Sequence, residues 1–276
     1  MKSRLQVFNE MLGCKPIIGM VHLPALPGSA PYDGRGLDSV IEFAVSEAKA
    51  LQQSGVSGIE VENFHDRSYF PNHAAPELTA SMAIIAHEVR KVTDLPLGIC
   101  ILADPIASLS VAHSAKCQFV RVTTFIEACV GEGGISYGRP HEILRYRKFL
   151  DPSIKIFADV HTKHGAPLAE RPIEDSAYDA ANFLADGVIV TGRHTGFPTS
   201  IADVKGVKEL LPDVPVIIGS GLNSQTVNDL FQYADGAIVG STLKVDGNAS
   251  NPVDPERAKA LISVVSDVRA KVCSCK

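Results

Sequence analysis

The sequence has no tryptophan, no basic amphipathic helix and no transit-like segment, so nothing in it supports a membrane-surface anchor. It lacks any apolar run of about 18 residues, and no transmembrane helix is expected. Positive charge is not in excess. A net charge of -5 and a pI near 6.0 exclude the basic footprint of a nucleic-acid binder. Met1 to Lys15 lacks the apolar core of a signal peptide, which points to a cytoplasmic protein. The six cysteines (Cys14, Cys100, Cys117, Cys129, Cys273 and Cys275) are scattered, in a chain too large to need disulfide staples. Reduced thiols are therefore expected. The Cys273-x-Cys275 pair has no neighbouring His or Cys to complete a metal site.

What is present is a large apolar fraction, 45% of 276 residues, enough for an extensive core. Short apolar runs alternate with amphipathic segments from start to finish. Strands are expected at Pro16–His22, Ile59–Asn63, Leu97–Leu102, Phe119–Val122, Ile154–His161, Gly187–Thr191, Val216–Gly219 and Ala237–Val239. Helical stripes fall between them. Val40, Ala44, Ala48 and Leu51 form one, closed by Gly55; Leu78, Met82, Ile85, Val89 and Val92 form another, opened by Pro76. Asn223 is read as the cap of the seventh helix and Asp254-Pro255 as the start of the last. Eight strand–helix units without a composition break predict one α/β domain over residues 1–276, with a short flexible tail from about 272. At this length a (β/α)8 TIM barrel is favoured over a doubly wound sheet.

In a barrel, reactive groups sit at the C-terminal ends of strands. The stretch Phe157-Ala158-Asp159-Val160-His161-Thr162-Lys163 carries an acid, an imidazole and an amine at alternate positions, which predicts that they project together. Glu60 and Glu62 face inward if Ile59 and Val61 face helices, and Arg121 faces inward by the same parity. An ion pair of Arg121 with Glu60 or Asp159 is the purely structural reading; a reactive site is the functional one. Glu62, Arg121, Asp159, His161 and Lys163 are the catalytic candidates. Lys163 reads as a phosphate or carboxylate clamp in preference to a Schiff-base lysine. Gly219-Ser220-Gly221 and Gly240-Ser241 end strands seven and eight, where barrels often bind phosphate through backbone N–H groups and a helix N-terminus. Thr191 and Gly192 lie beside them, and His22 and Asn63 end strands one and two; these complete the ligand-binding candidates. Glu62, Asp159 and His161 form a weaker alternative as a divalent-metal set, and no His-x-His or His-Glu-x-x-His spacing supports it.

Several ordered segments carry a resemblance: Gly19-Met20-Val21-His22-Leu23-Pro24, Val61-Glu62-Asn63-Phe64, Arg145-Tyr146-Arg147, Phe157-Ala158-Asp159-Val160-His161 and Lys163-His164-Gly165-Ala166-Pro167-Leu168. It continues through Leu184-Ala185-Asp186, Val190-Thr191-Gly192, Gly219-Ser220-Gly221 and Ile238-Val239-Gly240-Ser241. On these the chain resembles the BtpA family, named for a cyanobacterial factor needed for photosystem I accumulation. The resemblance implies a TIM-like barrel related to phosphate-binding barrels. The chain departs from the family pattern after strands three and four. It has Cys100, Ala103 and Thr123 where the family usually has asparagine, arginine and asparagine. Glu132-Gly133-Gly134 replaces the usual Asp-Gln-Gly.

Two functions follow as expectations. One is an enzyme acting on a small phosphorylated metabolite, such as a sugar phosphate or nucleotide-derived compound, by isomerase, lyase or hydrolase chemistry. The other, implied by the family name, is a non-enzymatic assembly or stability factor. A homo-oligomer is expected by analogy with other barrels.

Overall fold

The computed structural model describes residues 2–273. In chain order the elements are α1 (Arg4–Leu12), β1 (Ile17–His22), α2 (Leu37–Gln53), β2 (Gly58–Glu62), α3 (Pro76–Arg90), β3 (Leu97–Cys100), α4 (Pro105–Ser114) and β4 (Phe119–Val122). Then come β5 (Ala128–Gly131), β6 (Gly134–Tyr137), α5 (Pro140–Leu150), β7 (Lys155–Val160), β8 (Gly165–Pro167), α6 (Ile173–Asn182) and β9 (Gly187–Val190). The chain closes with α7 (Ile201–Leu210), β10 (Val216–Ile218), α8 (Val227–Leu230), β11 (Gly236–Val239) and α9 (Pro255–Val272). Eight parallel strands form a closed barrel in the order β1, β2, β3, β4, β7, β9, β10, β11, with β11 returning to β1. This is the (β/α)8 TIM barrel expected from the repeated units.

Period-two alternation divides the buried residues into two cores. Ile59, Val61, Val120, Val122, Ala158 and Val160 face outward into the layer shared with the helices. Ile18, Met20, Phe119, Phe157, Ile189, Ile217 and Ile238 fill the barrel interior. Gly98 makes room for this filling, because a Cβ there would sit 1.9 Å from the Phe119 ring. The N-terminal end of the barrel is plugged by α1, whose Phe8 and Leu12 join the inner core; the Phe8 ring lies 5.6 Å from that of Phe157. Ser3 caps α1 in a capping box with Gln6. This helix is absent from the sequence reading, which left the segment unassigned.

Two further features depart from expectation. The glycine-rich segment after β4 is a β-hairpin of β5 and β6, and β8 joins it in a second, antiparallel sheet of order β6-β5-β8. Cys14 and Cys273 form a disulfide, correcting the expectation that all thiols are reduced. Barrel closure accounts for the meeting: β11 pairs with β1, so α9 packs beside the entry to β1, where Arg269 donates to the Lys15 carbonyl oxygen at 3.0 and 3.2 Å. Cys275 and most of the expected tail lie outside the described residues. Val272 ends α9, and Cys273 follows it in the disulfide. No helix among the described residues is long and apolar enough to cross a membrane.

A buried ion pair fixes the segment after β11. Lys244 donates to Glu47 at 2.6 Å, and the other Glu47 oxygen accepts from the Val253 N–H at 2.7 Å. The chain that borders one side of the barrel mouth is thereby tied to α2.

Candidate active site

Above the apolar filling, the inward positions of β2, β3, β4 and β7 become polar. Arg121 projects from β4 and grips Asp159 of β7 through two bonds, Nε to Oδ1 at 3.0 Å and Nη2 to Oδ2 at 2.9 Å. Its third nitrogen, Nη1, stands 3.7 Å from Glu60 and 3.7 Å from Glu62. Three carboxylates thus surround one guanidinium. Burial disfavours the charge on Arg121, but Asp159 and Glu60 more than offset it, and the guanidinium is held firmly protonated. Glu60 is fully buried, and neither of its oxygens has a hydrogen-bond partner among the described residues. Burial raises its pKa to about 8 against the pull of Arg121, with Glu62 and Asp159 adding to the rise. Glu60 therefore carries a proton at neutral pH.

Cys100 pairs in register with Glu62, and burial followed by the Glu62 charge pushes its thiol well above the usual range. It is an inert thiol and not a nucleophile. Glu60, Glu62 and Cys100 offer donor atoms within 4.8 Å of one another, with Arg121 Nη1 standing 3.7 Å from each of the two acids.

The alternation predicted beyond Asp159 does not hold. β7 ends at Val160, and His161 adopts a left-handed backbone (φ 50°), which turns its ring toward α6. Its Nε2 lies 3.1 Å from the Ser176 hydroxyl. The metal set of Glu62, Asp159 and His161 is not assembled: His161 faces α6, and Asp159 is committed to Arg121. Lys163 does return to the mouth, where it lines both cavities described below. Among the described residues its amine makes no hydrogen bond or ion pair. Burial lowers its pKa, and Arg121 lowers it further.

Over the acidic side lies a cavity of about 330 Å³. Glu62, Arg121, Asp159 and Lys163 form part of its wall, and Phe64, Tyr69 and Phe70 give it an aromatic side. Ala103 and Thr123 also border it, while Glu132, Gly133 and Gly134 of the β5–β6 hairpin roof it. Asn72 ties the neighbouring loop to that roof, donating to the Ile135 carbonyl oxygen at 3.1 Å and accepting from the Tyr137 N–H at 3.0 Å.

The opposite side, at the ends of β10 and β11, is built of main chain and small residues. Gly219, Ser220, Gly221, Gly240, Ser241 and Thr242 line a tight recess that also touches His22, Arg121 and Lys163. His22 donates from Nδ1 to the Ala249 carbonyl oxygen at 2.9 Å and stacks on Phe64 at 4.2 Å. Burial and then Lys244 hold its pKa well below the usual value, so the ring is neutral and Nε2 is an acceptor.

Other expected ligand groups are used internally. The Ser220 hydroxyl accepts from the Gly192 N–H at 2.8 Å and donates to the Phe197 carbonyl oxygen at 3.0 Å, while Thr191 Oγ1 lies 3.0 Å from it. Thr191, Gly192 and the Ser220 side chain therefore brace the 192–198 loop. Asn63 is a buried strut: its side chain accepts from the Leu102 N–H and donates to Asp66. Asn223 caps a turn, accepting from the Gln225 and Thr226 N–H groups, and α8 begins only at Val227; no helix starts at Asn223. Phe64, Tyr69 and Phe70 went unrecognised as cavity residues. The aromatic character of the loop after β2 was the signal for them.

Fold and site together define a TIM barrel with a polar C-terminal mouth closed on one side by a small antiparallel sheet. Residues 13–267 match the BtpA family, and the chain belongs to that family. An uncharacterized protein of Methanocaldococcus jannaschii is 41% identical, covering 94% of this chain and 97% of its own. The photosystem I biogenesis protein BtpA of Synechocystis is 35% identical, covering 95% of this chain and 92% of its own. Among solved structures, (S)-3-O-geranylgeranylglyceryl phosphate synthase from Thermoplasma acidophilum, in complex with its substrate sn-glycerol-1-phosphate, superposes with a TM-score of 0.59. It covers 97% of this chain and all of its own at 15% identity, a likeness of fold.

Proposed function

We propose that the chain is an enzyme acting on a small phosphorylated metabolite across the C-terminal mouth of the barrel. One observation carries this reading: the glycine-lined recess and the acidic cavity share Arg121 and Lys163 as a common wall. A phosphate seated against Gly221, Gly240 and Ser241 meets backbone that can approach closely and a hydroxyl that can donate. The rest of the substrate then lies over Glu62. In this reading Glu62 is the general base. Arg121, oriented by Asp159, and Lys163 stabilise developing negative charge. His22 is a neutral hydrogen-bond acceptor at the rim. Isomerase, lyase and hydrolase chemistry all fit these roles.

Titration calorimetry with inorganic phosphate and sn-glycerol-1-phosphate tests the reading. Binding is expected for the wild type and a loss of binding for Ser241→Glu, which places a like charge in the recess. An affinity unchanged by Ser241→Glu would remove the phosphate from this position.

A second reading rests on the Synechocystis relative, whose name describes a biogenesis protein. Cys100, Ala103 and Thr123, which depart from the family pattern at the mouth, fit a chain that has given up catalysis for assembly. This reading expects a stoichiometric complex with a protein partner and no phosphate-ester binding. The homo-oligomer belongs to either reading, and sedimentation equilibrium measures it.

A further inference from the structure

We propose that Lys163 forms an imine with the carbonyl group of a phosphorylated aldehyde or ketone bound across the two cavities. The proposal rests on the phosphometabolite reading above and specifies its substrate class.

Lys163 is half-buried, and a lysine amine beside carboxylates in a cleft normally pairs with one of them. Lys163 is not paired, although three carboxylates stand nearby. Arg121 holds Asp159 in two hydrogen bonds and stands 3.7 Å from Glu60 and from Glu62. Arg121 thus takes the nearest oxygens of the three acids, and the Lys163 amine makes no hydrogen bond or ion pair among the described residues, although Glu62 and Asp159 act on it at longer range. It sits where the glycine recess opens into the larger cavity. A clamp for phosphate alone would need neither the second cavity nor an amine without a hydrogen bond. An amine that must attack carbon needs both. The environment agrees with the geometry: burial, and after it the Arg121 guanidinium, lower the amine's pKa against the opposing pull of Glu62 and Asp159.

The step balances as follows. The neutral Nζ attacks the carbonyl carbon, forming a C–N bond while the π pair moves to oxygen. Glu62 takes a proton from the nitrogen and delivers it to that oxygen, giving a carbinolamine. Glu62 then relays a proton from solvent in the mouth to the hydroxyl, which leaves as water while the nitrogen lone pair forms the iminium. No oxidant or metal enters the step. The iminium then withdraws electrons from the adjacent carbon, the requirement shared by isomerisation and carbon–carbon cleavage.

Pyridoxal 5'-phosphate, an aromatic aldehyde carrying a phosphate ester, is the probe. The full chain is incubated with it at pH 7.5 and reduced with borohydride, which donates hydride to the imine carbon and makes the bond permanent. Modified peptides are then identified by mass spectrometry. Label is expected to appear at Lys163 well before it appears at Lys91 and Lys259, because a lowered pKa leaves more of the amine neutral. Those two lysines are exposed and paired with Glu88 and Glu256, and they serve as internal references. Excess inorganic phosphate is expected to suppress the label at Lys163 and not at the references. Lys163→Arg, which cannot form an imine, is expected to lose the fast label.

Label confined to the reference lysines, in a protein that still binds phosphate, would overturn the imine and leave the phosphate reading standing. Fast label at Lys163 that phosphate does not suppress, equally given by pyridoxal without its phosphate, supports the imine and removes the phosphate.

Discussion

The mouth of this barrel is made of two unlike halves. The side formed by β2, β3, β4 and β7 carries Glu60, Glu62, Cys100, Arg121 and Asp159, all of them buried. The side formed by β9, β10 and β11 carries glycine, small hydroxyl residues and main-chain amides. Charged side chains are adjustable but costly to bury, and they are tolerated because Arg121 serves three acids at once. Glycine backbone is cheap to place there and rigid, but it cannot donate or accept a proton in a reaction. The division suits a site in which one side holds the ligand and the other changes it.

The contrast is broken most severely at Arg121. Arg121→Met leaves Asp159 and Glu62 buried without a counter-charge, and a loss of about 3–5 kcal/mol is expected in denaturant unfolding.

Next is a pH effect confined to the charged side. Glu60 has a folded pKa of about 8 against an ordinary value of 4.5, so the folded state binds the extra proton. Its stabilising contribution is complete below 4.5 and is lost as pH rises through about 8. Between pH 6 and 9 the wild type is expected to lose about 2–3 kcal/mol relative to Glu60→Gln. Parallel stability–pH curves for the two proteins would refute the assignment.

On the other side, Gly221 has φ 73°, and a Cβ there would lie 2.4 Å from Pro198 Cα. Gly221→Ala is expected to cost about 1–3 kcal/mol and to abolish phosphate binding by displacing the 197–198 backbone. The smallest effect is Ser241→Ala. It is expected to leave the melting temperature unchanged and weaken phosphate binding by about five- to tenfold, the worth of one hydrogen bond. If Ser241→Ala shifted the unfolding curve more than Glu60→Gln did, the division of labour between the halves would be lost.

The charged half was largely legible in the sequence because strand alternation is a strong geometric rule. Arg121, Glu60, Glu62 and Asp159 all follow it. The rule failed one residue past the end of β7, where the left-handed turn at His161 reset the direction of the chain. Nothing in the local sequence marks that turn, since histidine is neither glycine nor asparagine. The hydroxyls of Ser220 and Thr191 show another limit. Residue type shows that a group can bind phosphate, not that a loop 23 to 28 residues away in sequence also holds it. The hairpin at Ala128–Tyr137 was hidden by its glycines, which read as loop. The Cys14–Cys273 disulfide depends on barrel closure, a property of the whole chain that cysteine spacing does not carry.

The α1 helix has a consequence for proton traffic. Phe8 and Leu12 cork the barrel from below, and aromatic and aliphatic rings fill the shaft above them. Water cannot reach the Glu60 carboxyl from that end. Its exchange with solvent runs upward past Arg121 and Glu62, so whatever occupies the mouth also governs how fast this hidden acid equilibrates with the outside.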